Sequence, residues 1–291
     1  MSLMIHPDWL RSFLAFAETS SFTAAAKRLH LTQPAVHMHV KKLAEALSTE
    51  LYRRRGRALI LTSAGERVVA HARDVIEREA LLKAELDGVD DAPVVLAGGE
   101  GAFLYVLAEG VRAIARMSDV RLRLLTAPAE GAVDAVRSGR AHLAVAVLPE
   151  LPEGVEGRAL VRAGAKVVMP RGHALAKRRR LIPRHLDGQT LILPPRGRPH
   201  REAVLKALDE AGARAEVSVE AHGWEVLMRY AGLGLGVAVV NGVCVPPRGL
   251  VSRPFAGLPR VTYWLLHRPD GLQRDAVRRA HDALVAHAPK P

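Results

Sequence analysis

Residues 20–43 read SSFTAAAKRLHLTQPAVHMHVKKL. Two amphipathic repeats with a short break between them are legible in this stretch. Ser21 is a natural helix cap, because its hydroxyl can accept from a backbone N–H two or three residues on. Phe22, Ala25, Ala26 and Leu29 then recur at the helical period. His30-Leu31 is a short turn, and Thr32 is the next cap. Pro34 is tolerated in a first helical turn, where its missing N–H has no partner to lose. Val36, Val40, Leu43 and Leu47 form the inner stripe of the helix that follows. Upstream, Leu10, Phe13, Leu14 and Ala17 give an earlier helix from Trp9 on, broken by Thr19-Ser20-Ser21.

Two short helices joined by a tight turn make a helix-turn-helix. Such a unit lays its second helix in the major groove of DNA, with its N-terminal residues at the base edges. The helix opened by Thr32 presents Gln33, Pro34, His37, Met38 and Lys41 outward. Gln pairs bidentately with adenine, and Lys reaches guanine or phosphate. Arg28 and Lys42 flank this face as phosphate contacts. The bland alternative is a solvated face in an ordinary helical bundle.

The residues downstream weigh against that alternative. Leu51 to Thr62 (LYRRRGRALILT) reads as strand, basic Gly-containing turn and strand. A hairpin beside the second helix is a wing, and Arg53, Arg54, Arg55 and Arg57 at its tip would follow the phosphate backbone or enter the minor groove. Ser63-Ala64-Gly65-Glu66 has the spacing of a capping box and opens a helix running to about Gly88. Val68, Ala72, Val75, Leu82 and Leu86 lie three and four apart, with Glu79 in the missing place. Such a seam suits pairing with a second copy, or packing within the chain's own domain.

Composition agrees with a DNA partner. The 291 residues carry 42 Lys and Arg against 30 Asp and Glu, a formal net charge of +12. That surplus suits a polyanionic partner, the bland alternative being an Arg-rich composition that only aids solubility. Apolar residues make up 49% of the chain, enough for a sizeable core, and the length calls for two or more domains. The one cysteine, Cys244, excludes a disulfide framework within the chain and a four-cysteine zinc site. It reads as a small core residue. The start MSLMIHPDWLRSF lacks the features of a secretion signal, and no apolar run is long enough to span a bilayer. A cytoplasmic protein with no membrane partner is expected.

Beyond Asp90-Asp91-Ala92-Pro93, a hinge, short β-branched runs alternate with helical stretches. Strands are expected at residues 94–97, 121–126, 143–147, 166–169, 190–193, 216–219, 237–240 and 261–267. Helices are expected at 102–115, 129–138, 201–211, 223–231 and 274–286. The alternation predicts α/β lobes with mainly parallel sheets.

Residues 9–66 closely resemble the DNA-binding domain of the LysR-type transcriptional regulators, in the quoted stretch and again in LTSAG at residues 61–65. His37 stands where the family often has Ser, which leaves base preference open. In LAEALSTELYRR, Ala44, Ser48 and Tyr52 replace the family's usual Glu, Gly and Phe while the apolar register is kept. The resemblance continues more weakly in VDAVRSGRAHLAVAV (133–147), VVMPRGHALA (167–176) and MRYAGLGLGVAVV (228–240). It implies an α+β multidomain chain. Residues 1–66 would form the winged helix-turn-helix and 67–91 a linker and dimerisation helix. Residues 92–291 would form a periplasmic-binding-protein-like effector domain of two lobes. Lobe one would take about 92–162 and 262–291, and lobe two 163–261, with crossings near 158–165 and 250–261. The family's assemblies are homodimers and homotetramers on double-stranded DNA.

The resemblance also implies a small-molecule effector in the interlobe cleft, where strand ends meet at a topological switch. Gly99, Glu100 and Gly101 end the first strand of lobe one, and their backbone N–H groups could hold an anion. Thr126 and Leu148 end later strands. Arg196, Arg198 and His200 follow Leu191-Ile192-Leu193, and His222 opens a later helix or caps it. A carboxylate-bearing effector held by Arg196 or Arg198 is one expectation, since guanidinium pairs bidentately with carboxylate. Glu100 would oppose an anion if it points inward, so the ligand's charge stays open.

Two other functions fit the sequence less well. An enzyme on the two-lobed part is disfavoured. Gly99-Glu100-Gly101 followed by Leu104 fails a dinucleotide fingerprint, and Gly232, Gly234 and Gly236 lie between helix and strand, the wrong order for phosphate. No cofactor or metal is expected, since His37 and His39 point in different directions on their helix. An architectural DNA-coating protein without a ligand would leave two hundred cleft-forming residues unused.

Overall fold

The computed structural model describes residues 5–55, 58–86 and 92–289 of the chain. The chain divides into two compact units, Met1–Ala92 and Pro93–Pro291.

In the first unit, helices α1 (Pro7–Thr19), α2 (Phe22–Leu29) and α3 (Gln33–Ala46) precede a hairpin of β1 (Tyr52–Arg55) and β2 (Ala58–Leu61) and helix α4 (Ser63–Leu86). Ser21 caps α2 by accepting from the Ala24 N–H at 3.3 Å, and Thr32 caps α3 from the Ala35 N–H at 3.3 Å. Both helices therefore start where the sequence places them. The core collects Leu10, Phe13, Phe16, Ala25, Val36, Val40 and Leu43. Phe16 stacks on Phe22 at 4.2 Å and meets Tyr52 edge-on at 5.0 Å, tying the hairpin to the helices.

Helix α4 departs from the expectation in its cap and follows the within-domain alternative at the start of its seam. Its cap is Thr62, whose hydroxyl accepts from the Gly65 N–H at 3.0 Å, while Ser63 is already helical. Its apolar seam also turns inward at the start. Ala72 is fully buried in the unit's own core, with Val68 and Val75 packed against it. Glu79 pairs with Arg11 of α1 at 2.6 Å, and among the described side chains of the expected seam Leu82 alone is largely exposed, at 55%. The side chain of Leu86 lies outside the described residues, as do Gly88 and the Asp90-Asp91 part of the hinge.

The second unit holds two five-stranded sheets. One has the order β4-β3-β5-β12-β6 and uses β3 (Val94–Gly98), β4 (Leu122–Thr126), β5 (Leu143–Val147), β6 (Glu156–Ala163) and β12 (Val261–His267). The other has the order β11-β7-β10-β8-β9 and uses β7 (Ala165–Pro170), β8 (Thr190–Leu193), β9 (Glu216–Glu220), β10 (Val237–Asn241) and β11 (Leu250–Phe255). Gly164 alone carries the chain from the first sheet to the second. The sheets are mixed and not mainly parallel: β5, β12 and β6 pair antiparallel in one, and β11, β7 and β10 in the other. The segments expected to serve only as crossings contain strands β6 and β11.

Helices cover both faces, as buried strands require. On the first sheet, α6 (Ala108–Ile114) and α10 (Asp275–Ala286) share one core through Ile114, Val277 and Leu284. Helix α7 (Ala129–Arg137) buries Ala132, Val133 and Val136 against β3 and β5. The second sheet packs α8 (Pro199–Glu210) through Val204 and Leu208, and α9 (Trp224–Gly232) through Leu227, Met228 and Ala231. Full burial of each Val, Leu, Ile or Met among them contributes roughly 1.5–3 kcal/mol. The helix expected at 102–115 is two: α5 (Glu100–Tyr105) and α6, parted at Val106-Leu107.

Candidate nucleic-acid interface and ligand cleft

Helix α3 buries Val36, Val40 and Leu43 and exposes Gln33, Pro34, His37, Met38 and Lys41. The five exposed residues recur at helical spacing and share one face. Thr23 at the start of α2 donates its hydroxyl to Gln33 Oε1 at 3.3 Å and so steers the Gln33 amide from across the turn. The sequence reading did not single out Thr23. Ser20, Ser21, Phe22, Thr23 and Gln33, with Leu59 and Ile60 of the wing, line an open concavity of about 530 Å³. Buried Ser12 bonds to His39 Nδ1 at 2.8 Å and ties the rear of α3 to α1.

The flanking cations differ in their partners. Arg28 is 2.7 Å from Glu18, a carboxylate that Arg73 shares at 3.3 Å. Lys41 reaches Glu45 at 3.7 Å, and Lys42 lies 5.9 Å over the Trp9 ring. Exposed pairs of this kind contribute well under about 1 kcal/mol and exchange readily for phosphate. Arg53 and Arg54 are exposed on β1. Arg57 and the side chain of Arg55 lie outside the described residues.

Gly65 is the glycine on which the wing depends. A Cβ there would stand 2.0 Å from the Leu51 carbonyl oxygen, so α4 and the entry to β1 touch backbone to backbone.

In the second unit the parallel strands β3, β4 and β5 end at Gly98, Thr126 and Val147. Gly99 precedes α5, whose six residues are too few for a strong helix dipole, and Glu100 is exposed on its first turn. Leu148 accepts from the Trp264 indole N–H at 3.2 Å, so its carbonyl serves structure. Arg196 is 86% exposed and 3.9 Å from Glu220. Arg198 is exposed and precedes α8. His222 is exposed and is not a cap: Gly223 holds that place in front of α9, at φ 84°.

Of the residues that join the two lobes, Glu100, Gly101 and His200 were expected at the cleft, whereas Tyr105, Trp224 and Glu225 were not. The Tyr105 hydroxyl on α5 bonds to Glu225 on α9. Burial, and then that bond, push the Tyr105 phenol above its usual range. The Trp224 ring lies against Gly101, where a Cβ would be 2.6 Å from the indole, and meets His200 edge-on at 5.0 Å. His200 bonds to the Val239 carbonyl at 3.0 Å, and burial holds its pKa below the usual value. Buried Arg201 is paired with Glu220 at 2.8 Å and donates to the Pro194 carbonyl. Glu100, Tyr105, Trp224 and Glu225 therefore stand where the lobes meet, while Arg196 and Arg198 are solvated.

The profile described as a bacterial regulatory helix-turn-helix protein of the lysR family matches residues 7–66, and the LysR substrate binding domain matches residues 104–289. The RuBisCO operon transcriptional regulator of Allochromatium vinosum is 29% identical over 267 residues, covering 88% of this chain and 87% of its own. A probable hydrogen peroxide-inducible genes activator of Streptomyces viridosporus is 30% identical over 242 residues, covering 81% and 77%. Among solved structures, full-length CbnR complexed with its target DNA has a TM-score of 0.74 at 19% identity, over 97% of this chain and 100% of that one, a likeness of fold. Among the described residues no helix is long and apolar enough to cross a membrane. The two profiles together cover the capped helix-turn-helix and most of the two-sheet unit, and the chain belongs to the LysR family of DNA-binding transcriptional regulators.

Proposed function

We propose that α3 reads base edges through Gln33, Pro34, His37, Met38 and Lys41, beginning at Thr32. Arg28, Lys42 and the wing arginines 53, 54, 55 and 57 hold the phosphate backbone. The single observation that carries this reading is the two-sided character of α3, apolar within and polar without. Residues 1–66 serve as the DNA-binding part, 67–91 as the linker, and 92–291 as the effector-binding part, with lobe one at about 92–162 and 262–291 and lobe two at 163–261. The protein works in the cytoplasm, where its operator is, and acts by binding and not by catalysis.

The effector sits between the lobes, bounded by Gly99, Glu100, Gly101 and Thr126 on one side and by Arg198, His200, His222 and Trp224 on the other, with Leu148 and Arg196 at the rim. Its class stays open to test, because Arg198 offers a partner for a carboxylate whereas Glu100 and Glu225 oppose one. Thiol oxidation is not the signal. A disulfide within the chain needs two cysteines, and Cys244 is single, buried, and has its thiol pushed up to about 12 by burial. Copies pair through exposed apolar side chains. Leu82 on α4 and Val226, Tyr230, Leu233 and Leu235 on and after α9 support homodimers, and homotetramers built from them.

Gel shifts on the upstream region of the protein's own gene test the DNA reading. Gln33→Ala should lose preference for the operator over random DNA, and Arg54→Ala should weaken both alike. Retention of full preference by Gln33→Ala would refute the placement of α3. A thermal-shift screen of metabolites, with and without Arg198→Gln, tests the cleft.

A further inference from the structure

The positive charge of this protein is not where its DNA-binding helix is. Residues 1–92 hold 13 Lys and Arg against 12 Asp and Glu, a surplus of 1. Residues 93–291 hold 29 against 18, a surplus of 11. Within the second unit the imbalance is local. Residues 157–186 contain nine Lys and Arg and no Asp or Glu.

Six of those nine are exposed on one segment of the second lobe: Arg171, Lys177, Arg178, Arg179, Arg180 and Arg184. None of the six has a carboxylate partner among the described residues. The segment is not a loose basic tail. Leu175, Ala176 and Leu181 are buried on either side of the four consecutive cations. The Arg253 guanidinium donates to the Ala176 carbonyl at 2.6 Å and to the Arg178 carbonyl at 2.7 Å. Leu181 donates to the Pro254 carbonyl at 2.9 Å and accepts from the Ala256 N–H at 2.8 Å. Four side chains of one sign are thus held outward from a backbone fixed at both ends. Crowded like charges repel, so a polyanion that neutralises them gains free energy the folded chain alone lacks.

We propose that this ridge binds the phosphate backbone of DNA, as a second and sequence-independent contact of the effector-binding unit in the operator complex. A duplex is the occupant that fits. The DNA-binding unit, its wing included, has almost no net charge, so most of the net attraction between this regulator and DNA falls to the second unit. A guanidinium series of this kind matches a run of phosphates. The proposal rests on DNA binding by the chain but not on the register of α3.

The test uses the full chain with K177Q, R178Q, R179Q and R180Q combined. A charge-matched control combines R116Q, K206Q, R214Q and R248Q. Affinity for a long operator fragment is measured across a salt series. Each lost phosphate contact lowers the slope of log K against log salt by about 0.9. The ridge variant should lose roughly 2–4 from that slope and bind at least about tenfold more weakly at physiological salt, with its preference for operator over random DNA unchanged. The control should keep the wild-type slope. An unchanged slope in the ridge variant overturns the proposal, and that is also the outcome if the ridge serves an acidic protein. Equal losses in both variants would assign the effect to net charge and overturn it too. If the fourfold variant melts early, R178Q with R179Q alone should lose about half as much slope. Gln33→Ala separates the two readings, since it removes preference and leaves the slope intact.

Discussion

Replacing Gly65 by Ala sets two physical effects against each other. Gly65 lies in the first turn of α4, and Ala there is the better helix former by about 1 kcal/mol. Helix propensity alone therefore predicts stabilisation. The structure predicts the reverse. The new methyl would stand 2.0 Å from the Leu51 carbonyl oxygen, so the two backbones must part by about 1.4 Å to reach ordinary contact. That oxygen also accepts from the Thr62 N–H at 3.1 Å, and Leu51 itself is buried. Loss of the hydrogen bond costs about 1 kcal/mol. Forced displacement in a packed site costs roughly 1–3 kcal/mol. Less the gain in propensity, the net loss is about 2 kcal/mol, which lowers the melting midpoint of a unit this size by roughly 10 °C. Hydrogen exchange across residues 5–86 localises the loss to the first unit, and circular dichroism gives the midpoint. Operator affinity should fall as well, because the hairpin bearing Arg53 and Arg54 hangs on this contact. A Gly65→Ala protein that melts at or above the wild-type temperature would refute the close approach.

Ser48 is non-glycine at φ 48°, ending α3, and Ser48→Gly should raise stability of the first unit by about 1 kcal/mol in chemical denaturation. His200 is held neutral by burial, so its folded pKa lies below its unfolded value. Its contribution is complete above about pH 6.5 and declines as pH falls toward the lowered value. A His200→Gln protein should lose that part of the pH slope in thermal unfolding, and an unchanged slope would remove His200 as its source. Cys244, buried and with its thiol pushed up to about 12, should react with a thiol reagent only after unfolding. Rapid reaction in the native state would contradict its burial.

What the sequence made legible was local. Ser21 and Thr32 announce their helices because a cap needs one hydroxyl at one offset. Strands β3, β5, β8 and β10 announce themselves because burial on both faces demands an unbroken apolar run. Strands β6 and β11 were hidden for the opposite reason. Each is an edge strand, antiparallel and half-exposed, and β11 carries Pro254, which only an edge tolerates. The break between α5 and α6 falls at Val106 and Leu107, both buried, so the periodic pattern runs through it. The stripe of Val68, Ala72 and Val75 has one spacing for two destinies, and packing on α1 won over facing a partner. Tyr105 and Glu225 are 120 residues apart, and no pattern in the chain links them.

Net charge is a whole-chain quantity, and here its surplus lies mostly outside the unit that carries the helix-turn-helix. A surplus of +12 points to a polyanionic partner without saying where it binds, and the helix-turn-helix sits in a unit that is almost neutral. There, Glu18, Glu45 and Glu79 pair with Arg28, Lys41 and Arg11. A nearly neutral reader of bases is physically reasonable. Base readout comes from geometry at short range, and a large local charge would favour any duplex over the operator. The attraction that brings DNA near does not have to come from the same unit, because at physiological salt it is already screened over about 8 Å and acts wherever phosphates pass. If both proposals hold, the division of charge between the units is also a division of labour, with preference held by α3 and general affinity shared between the wing arginines and the lobe that carries Lys177–Arg180.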